Sequence, residues 1–346
     1  MKKYLLPKDG NFYKANLHCH TTLSDASLTP EEVKELYKSQ GYSVVAYTDH
    51  DIMLTHHDLS DDNFLALTGF EMEINEDFNA PSDAPQREFI DLKTCHLCFI
   101  ALDKDIDKQI MFNPKYCFCN AVENSKLVKA DEKTASFERF YTHECINEMI
   151  KTGRENNFFV TYNHPGWSLE SYPEYMGYDG MNAMEIFNSS SSILGYNEYN
   201  AHVYDDMLRG KKRLYCIAAD DNHNNLQNTR NCDSFGGFTM IKADKLEYNT
   251  VAEALESGNF YASQGPEIKE LWFEDGKIHI ECSPAERIYF TVGRRRMCCE
   301  WAHFHNYITS AEFEVLPEDK YVRVTVVDSN GKCADTNAYF TDELFK

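Results

Sequence analysis

Short apolar runs that end in histidine or an acidic residue recur along the first two thirds of the chain. They constrain the fold more than any other feature. Such runs cover residues 15–20, 43–47, 158–162 and 214–218, and helical patterns separate them. Thr29 to Glu32, for example, form a capping box with Pro30 at the first helical position. Strand, loop, helix and strand in this order predict an α/β fold with a parallel sheet, open or closed into a barrel.

The imidazole and carboxylate groups at these strand ends are predicted to form a site. In parallel α/β folds, the loops at the carboxyl ends of the strands carry the chemistry. His18 and His20 are two residues apart on a predicted strand, so both can face one metal ion. An isolated pair of this kind is more often an ordinary surface or core pair, so the argument depends on the whole set. The other candidates are Asp25, Asp49, His50, Asp51, Glu71, His96, His164, Asp221 and His223.

Three positions in this set have competing interpretations. Glu73 competes with Glu71, and Asp220 competes with Asp221. His96, taken alone, is as consistent with a buried structural histidine as with a ligand. Imidazole and carboxylate ligands without thiolate suit Zn, Mn or Fe.

The pattern changes at Gly265 and Pro266, after which the sequence alternates in the manner of β-strands. Turns such as Asp275-Gly276 and Asn330-Gly331 separate the alternating segments. This pattern predicts a small all-β, sandwich-like domain over residues 266–346, following an α/β domain over residues 1–265. The polar stretch from Asn75 to Thr94, with two prolines, is predicted to be an inserted loop.

Composition narrows the class of partner and the compartment. The chain has 346 residues and a formal net charge of −22, which disfavours a stable complex with nucleic acid. The apolar run at the first residues is too short for a signal peptide, and no run approaches the ~20 residues that span a bilayer. We expect a cytoplasmic protein without a membrane segment, whose 12 cysteines are reduced thiols.

The combined motifs resemble the PHP (polymerase and histidinol phosphatase) family over most of residues 12–265. The resemblance rests on His18-x-His20 with Asp25, Thr48-Asp49-His50, Gly69-x-Glu71, His96, His164-Pro165 and Asp221-x-His223. Leu208 to Lys211 and the segment from Leu255 to Pro266 also fit the family's predicted phosphoesterases. The resemblance implies a distorted (β/α)7 barrel with two or three divalent ions at its carboxyl face.

The resemblance also implies an assignment of ligands. A first ion is held by His18, His20, Glu71 and Asp221. Glu71 bridges to a second ion, which His96 and His164 also hold. The third is held by Asp25, His50 and His223, which are the candidate catalytic residues beside the leaving group.

The implied reaction is hydrolysis of a phosphate ester by a metal-activated hydroxide, without a serine or cysteine nucleophile. Arg209, Lys211 and Arg230 are candidates for positioning the substrate phosphate, although solvated charges explain them equally well. The expected partner is a small phosphorylated substrate, with a nucleotide among the candidates, and the all-β domain is a candidate oligomer contact. The alternatives are a catalytically silent metal-binding regulatory or scaffold protein, and an amidohydrolase-type hydrolase of another bond.

Overall fold

The computed structural model describes residues 2–79, 88–225, 233–303 and 306–346. The strands are β1 (Lys3–Tyr4), β2 (Asn11–Asn16), β3 (Val44–Tyr47), β4 (Leu65–Asn75), β5 (Thr94–Ala101), β6 (Phe158–Tyr162), β7 (Ala183–Asn188), β8 (Tyr215–Ala219), β9 (Phe238–Ala243), β10 (Phe260–Ser263), β11 (Ile268–Glu274), β12 (Lys277–Ala285), β13 (Arg287–Val292), β14 (Cys298–Trp301), β15 (Ile308–Glu314), β16 (Tyr321–Val327), β17 (Cys333–Thr336) and β18 (Tyr339–Phe340). The helices are α1 (Pro30–Ser39), α2 (Ala121–Asn124), α3 (His143–Glu155), α4 (Tyr172–Tyr175), α5 (Ser189–Ile193), α6 (Ala201–Arg209), α7 (Tyr248–Glu256) and α8 (Thr341–Leu344).

The larger of the two sheets is a mixed sheet, with parallel and antiparallel pairs, and its strands lie between β2 and β18 in the chain. Its order is β14-β13-β16-β17-β10-β9-β2-β3-β4-β5-β6-β7-β8, with β18 paired to β16. Two blocks are parallel, β2-β3-β4 and β6-β7-β8. Strand β5 joins them and is antiparallel to both of its neighbours. The sheet is therefore parallel only in part, because β5 pairs antiparallel with β4 and with β6.

The part of this sheet from β9 to β8 curls until its last strand approaches β2. An isolated parallel bridge links Cys19 to Asn222, and the Asp220 amide donates to Asn16 Oδ1 at 2.9 Å. Apolar side chains from β2 to β9 pack together in one core, which α7 covers with Val251 and Leu255. These contacts give a barrel-like α/β region, although no ladder joins β8 to β2 among the described residues.

The second sheet adds an all-β layer. Its order is β1-β11-β12-β15, so the amino-terminal strand pairs with a strand from the tail. Leu271 and Ile280 of this sheet pack against Phe290 and Val324 of the larger sheet in a shared core. This is the face-to-face packing of a sandwich. The alternation predicts strands at residues 268–273, 278–282, 287–292, 311–315, 321–327 and 338–340, so strands β14 and β17 are additional.

Local signals predicted the elements of the α/β region well. Helix α1 begins with the predicted capping box, in which Thr29 Oγ1 accepts from the Glu32 amide and Glu32 Oε2 accepts from the Thr29 amide. The segments predicted near residues 43–47 and 158–162 are strands β3 and β6. The segment predicted as a strand through His20 leaves the ladder at Asn16, before the two histidines. Within the described ranges, no helix is both long and apolar enough to span a bilayer.

A buried ion-pair network ties α6 to the tail strands. Arg323 on β16 donates to Asp205 Oδ1 at 2.8 Å and to Asp205 Oδ2 at 2.9 Å. It also contacts Asp335 Oδ1 at 3.2 Å. Arg323 is only 4% exposed, so its charge depends on these carboxylates for compensation.

We expect Asp205→Ala to lower the free energy of unfolding by about 3–5 kcal/mol, because the change leaves the buried Arg323 charge without its bidentate partner. Urea denaturation measures the effect. The control is Arg209→Ala, which breaks an exposed pair with Asp206 and should change stability by less than about 1 kcal/mol. Equal losses in the two variants would contradict the prediction.

Candidate metal centre

The predicted site residues converge on one rim of the barrel-like sheet. This is the rim formed by the carboxyl ends of the parallel strands. His18 and His20 follow β2, His50 follows β3, and His164 follows β6. Asp221 and His223 follow β8. Backbone bridges between Cys19 and Asn222, and between His50 and Glu71, fix these loops side by side.

His96 reaches the same rim by a different route. It lies near the amino end of β5, whereas the other histidines follow the strands that position them. Because β5 is antiparallel to β4 and β6, its amino end lies beside their carboxyl ends. Glu71 lies within β4, which continues to Asn75 in the ladder with β5. The expectation that every ligand follows a parallel strand is therefore wrong for His96 and Glu71.

The Glu71 carboxylate lies at the centre of the cluster. Its Oε1 atom is 3.2 Å from His18 Nε2 and 3.1 Å from His96 Nδ1. The same oxygen is 3.4 Å from His164 Nε2, and Oε2 is 3.3 Å from His20 Nε2. His50 Nδ1, after β3, is 3.2 Å from Oε2. Glu71 is fully buried, so one carboxylate faces imidazoles carried by three strand ends and by β5.

Four of these groups are spaced as the ligands of a single ion. His18 Nε2 and His20 Nε2 lie 3.1 Å apart. Asp221 Oδ1 is 3.2 Å from the first nitrogen and 3.0 Å from the second. Ligand atoms arranged tetrahedrally at ~2.0–2.1 Å from an ion are ~3.3 Å apart. With Glu71, these residues form one of the groups able to hold a metal ion.

A second group lies closer to solvent. Asp25 Oδ2 is 3.4 Å from His223 Nε2 and 3.8 Å from His50 Nε2. The side chains of Asp25 and His223 are 20% and 22% exposed, whereas that of His18 is 1% exposed. This group, which also includes His20, is a further candidate ligand set at the mouth of the site.

The residues present fit divalent cations. Three imidazole nitrogens of the cluster are buried without a hydrogen bond, namely His20 Nδ1, His50 Nδ1 and His96 Nε2. The carboxylates of Asp25, Glu71, Glu185 and Asp221 lie among six histidines, and no lysine or arginine pairs with them among the described residues. Buried negative charge of this density requires compensation, which divalent ions supply.

The pKa shifts show how strongly the groups interact. Burial lowers the pKa of His20, but hydrogen bonds to Asp221 and Glu71 outweigh this effect and raise the pKa to about 10. Burial and the neighbouring His20 lower the pKa of His50 to about 3. Burial raises the pKa of Glu71, yet His18, His96 and His50 hold it well below its usual range. The Glu71 carboxylate is therefore ionised, which is the state that binds metal.

Several loops of the site adopt costly backbone conformations. Asp51, His164 and Asp221 have φ angles of 61°, 25° and 54°, in the left-handed region that favours glycine. Such conformations cost roughly 1–3 kcal/mol each and persist where the surrounding contacts enforce them. Asp51 shows one such contact, since its carboxylate lies 2.5 Å from the buried Arg139 guanidinium.

Glu185 belongs to the site and was not predicted from the sequence. It lies in the middle of β7, where its Oε1 contacts His18 Nδ1 at 2.7 Å. Its Oε2 accepts from the His164 amide at 3.0 Å and from Asn188 Nδ2 at 2.9 Å. A carboxylate that contacts the second ring nitrogen fixes the orientation of a metal-binding imidazole. The sequence signal was a single acidic residue inside an otherwise apolar strand.

Other buried carboxylates hold the loops rather than the cluster. Asp49 accepts from the Thr21 amide, the Thr21 hydroxyl and the Ser24 hydroxyl. Asp220 accepts from the Tyr37 hydroxyl and from the amides of residues 235–237. The Asp220 carboxylate therefore binds the loop at residues 235–237, and Asp221 is the aspartate that faces the histidines.

Two of the three candidate phosphate-positioning residues, Arg209 and Lys211, are not brought to this rim. Arg209 and Lys211 precede β8, on the side of the amino ends of the parallel strands. Arg209 is exposed and donates to Asp206 Oδ1 at 2.7 Å. The geometry does not support a role in binding substrate for either residue. Arg230 lies outside the described residues, and Glu73 accepts from Asn75 rather than joining the cluster.

No protein-family model matches the chain, and a search of curated proteins finds no match. Solved structures do match. One is a two-domain protein of Bacteroides vulgatus ATCC 8482 that contains a predicted PHP-like metal-dependent phosphoesterase. It is 13% identical, with a TM-score of 0.42, and the match covers 98% of this chain and 97% of that chain.

Two further matches cover less of the chain. A candidate metal-dependent phosphoesterase from Bifidobacterium adolescentis is 14% identical, with a TM-score of 0.36, over 63% of this chain and 91% of its own. An amidohydrolase from Chromobacterium violaceum, with sulfate and no metal, is 15% identical, with a TM-score of 0.38, over 62% and 89%. The first match is described by the family that the sequence motifs resemble. At this level of similarity, the side chains of the site must carry the functional argument.

We expect Glu185→Gln to weaken metal binding by about 10- to 100-fold, because the loss of its charge removes the partner that orients His18. Competition with a fluorescent chelator measures the affinity. The control is Glu174→Gln, which removes a carboxylate that pairs with Lys93 away from the cluster and should leave metal affinity unchanged. Wild-type affinity in Glu185→Gln would contradict the prediction.

Proposed function

We propose that this protein is a metal-dependent phosphoesterase. The observation that carries the proposal is the convergence of Glu71 with His18, His20, His96 and His164 at distances of 3.1–3.4 Å. A structural role does not require so many imidazoles on one buried carboxylate, whereas a cluster of metal ions does. We propose two or three divalent ions, with Zn, Mn or Fe as candidates from the ligand types.

The contacts support the following assignment of ligands. His18, His20, Glu71 and Asp221 hold the first ion, and Glu71 is shared with a second. His96 and His164 would complete the second, since both contact Glu71 Oε1, an oxygen that His18 of the first set also contacts. Asp25, His50 and His223 hold the third at the exposed edge of the site.

Water is the nucleophile in the proposed reaction. Divalent ions bound in this cluster would neutralise charge on phosphoryl oxygens and lower the pKa of a water molecule toward ~7. Burial raises the pKa of the nearby Cys98 to about 11, so that thiol stays protonated and unreactive. Asn163 Nδ2 donates to Cys98 Sγ and to Glu71 Oε1, which orients the shared carboxylate.

Asp25, His50 and His223 are the proposed catalytic residues. Asp25 and His223 are the most exposed residues of the candidate ligand set and line the larger cavity above it. A substrate entering this cavity meets them before it reaches the buried histidines. They are therefore placed beside the leaving oxygen, where these residues and the ion that they would hold assist its departure.

The proposal also covers the domains of the chain, its location and its partner. We propose a distorted (β/α)7 barrel of the PHP type over residues 1–265, and an all-β domain over residues 266–346 that is available for self-association. We also propose a cytoplasmic location, which fits the absence of disulfides among the eleven described cysteines. The proposed partner is a small phosphorylated molecule.

We expect chelation to abolish hydrolysis of p-nitrophenyl phosphate, because the carboxylates and imidazoles of the cluster carry no reactive group of their own. Adding Mn, Fe or Zn to the chelated protein should restore turnover. Release of p-nitrophenol and metal content are measured on the same samples. Full turnover by metal-free protein would rule out the proposal.

His18→Ala and Asp221→Ala should each lower kcat/KM by at least about 100-fold, because each removes a ligand that contacts the central group. Thermal unfolding should remain cooperative in both variants. The matched control is His202→Ala, an exposed histidine on α6, which should keep wild-type kcat/KM. Wild-type turnover by either site variant would contradict the prediction.

The same assays separate the two competing functions. A catalytically silent metal-binding protein would bind metal but hydrolyse neither p-nitrophenyl phosphate nor a bis-ester analogue. An amidohydrolase-type enzyme would hydrolyse an amide or carboxylic ester with added metal and leave both phosphate esters intact.

A further inference from the structure

Two cavities of different size meet above the candidate metal centre. The smaller has a volume of about 50 Å³ and is lined by Glu71, His164, Asp221, Ser190, Ser191 and Leu194. The larger has a volume of about 540 Å³. Both are lined by His50, His96 and Trp167, so they adjoin at the cluster. A substrate bound across this boundary places different parts in each cavity.

The smaller cavity lies among the candidate metal ligands and adjoins the larger one. Its volume corresponds to a few water-sized groups. Ser190 and Ser191 follow Asn188 at the end of β7, and the Asn188 side chain fixes the turn by accepting from the Ser191 amide at 3.0 Å. The two serines bring hydroxyl donors to a cavity whose other polar walls are candidate metal ligands. The phosphoryl end of a substrate is therefore expected here, beside the ions that these ligands would hold.

The larger cavity has aromatic walls. Phe118 lies against the His50 ring with a centroid distance of 4.9 Å, and Trp167 lies 5.2 Å from the His96 ring. Phe78 and Tyr116 pack together at 4.9 Å, and Phe89 packs against Trp167 at 6.0 Å. All five rings line the cavity. Aromatic walls favour a flat, apolar group through stacking and apolar burial.

The walls are held in place by buried charged groups. Arg139 donates to the Glu73 carbonyl at 2.9 Å and contacts Asp51 at 2.5 Å. The same guanidinium lies over the Tyr116 ring, 4.3 Å from its centroid. On the other side, Glu198 Oε1 accepts from the Trp167 amide at 2.5 Å. The rings therefore form a preorganised wall, which lowers the entropic cost of binding.

We propose that the substrate is a phosphate ester whose alcohol part carries a flat apolar ring. The inference rests on the proposed function, and it assigns the phosphoryl group to the cluster with its small cavity and the alcohol to the aromatic cavity. Phe118 and Trp167 are the specificity-determining residues, because each links a cavity wall to a histidine of the cluster.

The first test is binding without turnover. Metal-loaded protein is titrated by calorimetry with benzylphosphonate and with ethylphosphonate, which share the phosphonate group and differ in the ring. The expected result is that benzylphosphonate binds about tenfold more tightly, since burying a ring contributes this much. Phe118→Ala should reduce the ratio toward one. Phe140→Ala, an exposed phenylalanine of the same connection, should preserve it.

Equal binding of the two phosphonates by the wild-type protein would overturn the ring assignment. So would a ratio that is unchanged in Phe118→Ala, provided that thermal unfolding shows the variant to be folded. This result is independent of catalysis. If no phosphate ester is hydrolysed with any metal, the proposed function fails, while the phosphonate ratio still decides the ring assignment.

The second test is hydrolysis of benzyl phosphate and ethyl phosphate with added metal. The two esters have similar leaving groups, so a higher kcat/KM for benzyl phosphate, by about tenfold, reports on the ring. Equal kcat/KM for the two esters would overturn the ring assignment.

Discussion

The buried carboxylate of Glu71 is the group on which the arrangement of the site depends. An ionised carboxylate inside a protein is stable only when nearby groups compensate its charge. Here, histidines from the loops after β2, β3 and β6, together with His96 on β5, surround it. Loops that are distant in sequence are therefore held to one point by a single electrostatic requirement. Bound cations would satisfy the same requirement more completely.

A second set of carboxylates makes this convergence possible. Asp49, Asp220, Glu185 and Glu198 each accept hydrogen bonds from backbone amides of loops at the same rim. Such bonds satisfy buried donors that irregular loops would otherwise leave unpaired. They also stabilise the left-handed conformations of residues such as His164, whose amide donates to Glu185. Part of the chain's large acidic excess thus serves to fix loops rather than to repel a partner.

The connection between β5 and α3 contributes the part of the site that is least evident in the sequence. It has only short helical turns, and no periodic pattern predicts its path. The buried Arg139 joins it to Asp51, one residue after His50, and so places Phe118 and Tyr116 beside the cluster. Because a buried ion pair has a strict geometry, this otherwise irregular segment has a defined position above the candidate ligands.

The sequence by itself determined the alternation of strands and helices, the all-β character of the tail, and the set of histidines and carboxylates that meet. These follow from local signals, since apolar periodicity and capping residues act over a few positions. Tertiary structure alone decided that β5 is antiparallel, which brings His96 to the rim from the amino end of its strand. It also decided that Glu185 joins the site and that Arg209 and Lys211 lie elsewhere. Strand direction and side-chain partners depend on contacts between distant segments, and no local pattern encodes those contacts.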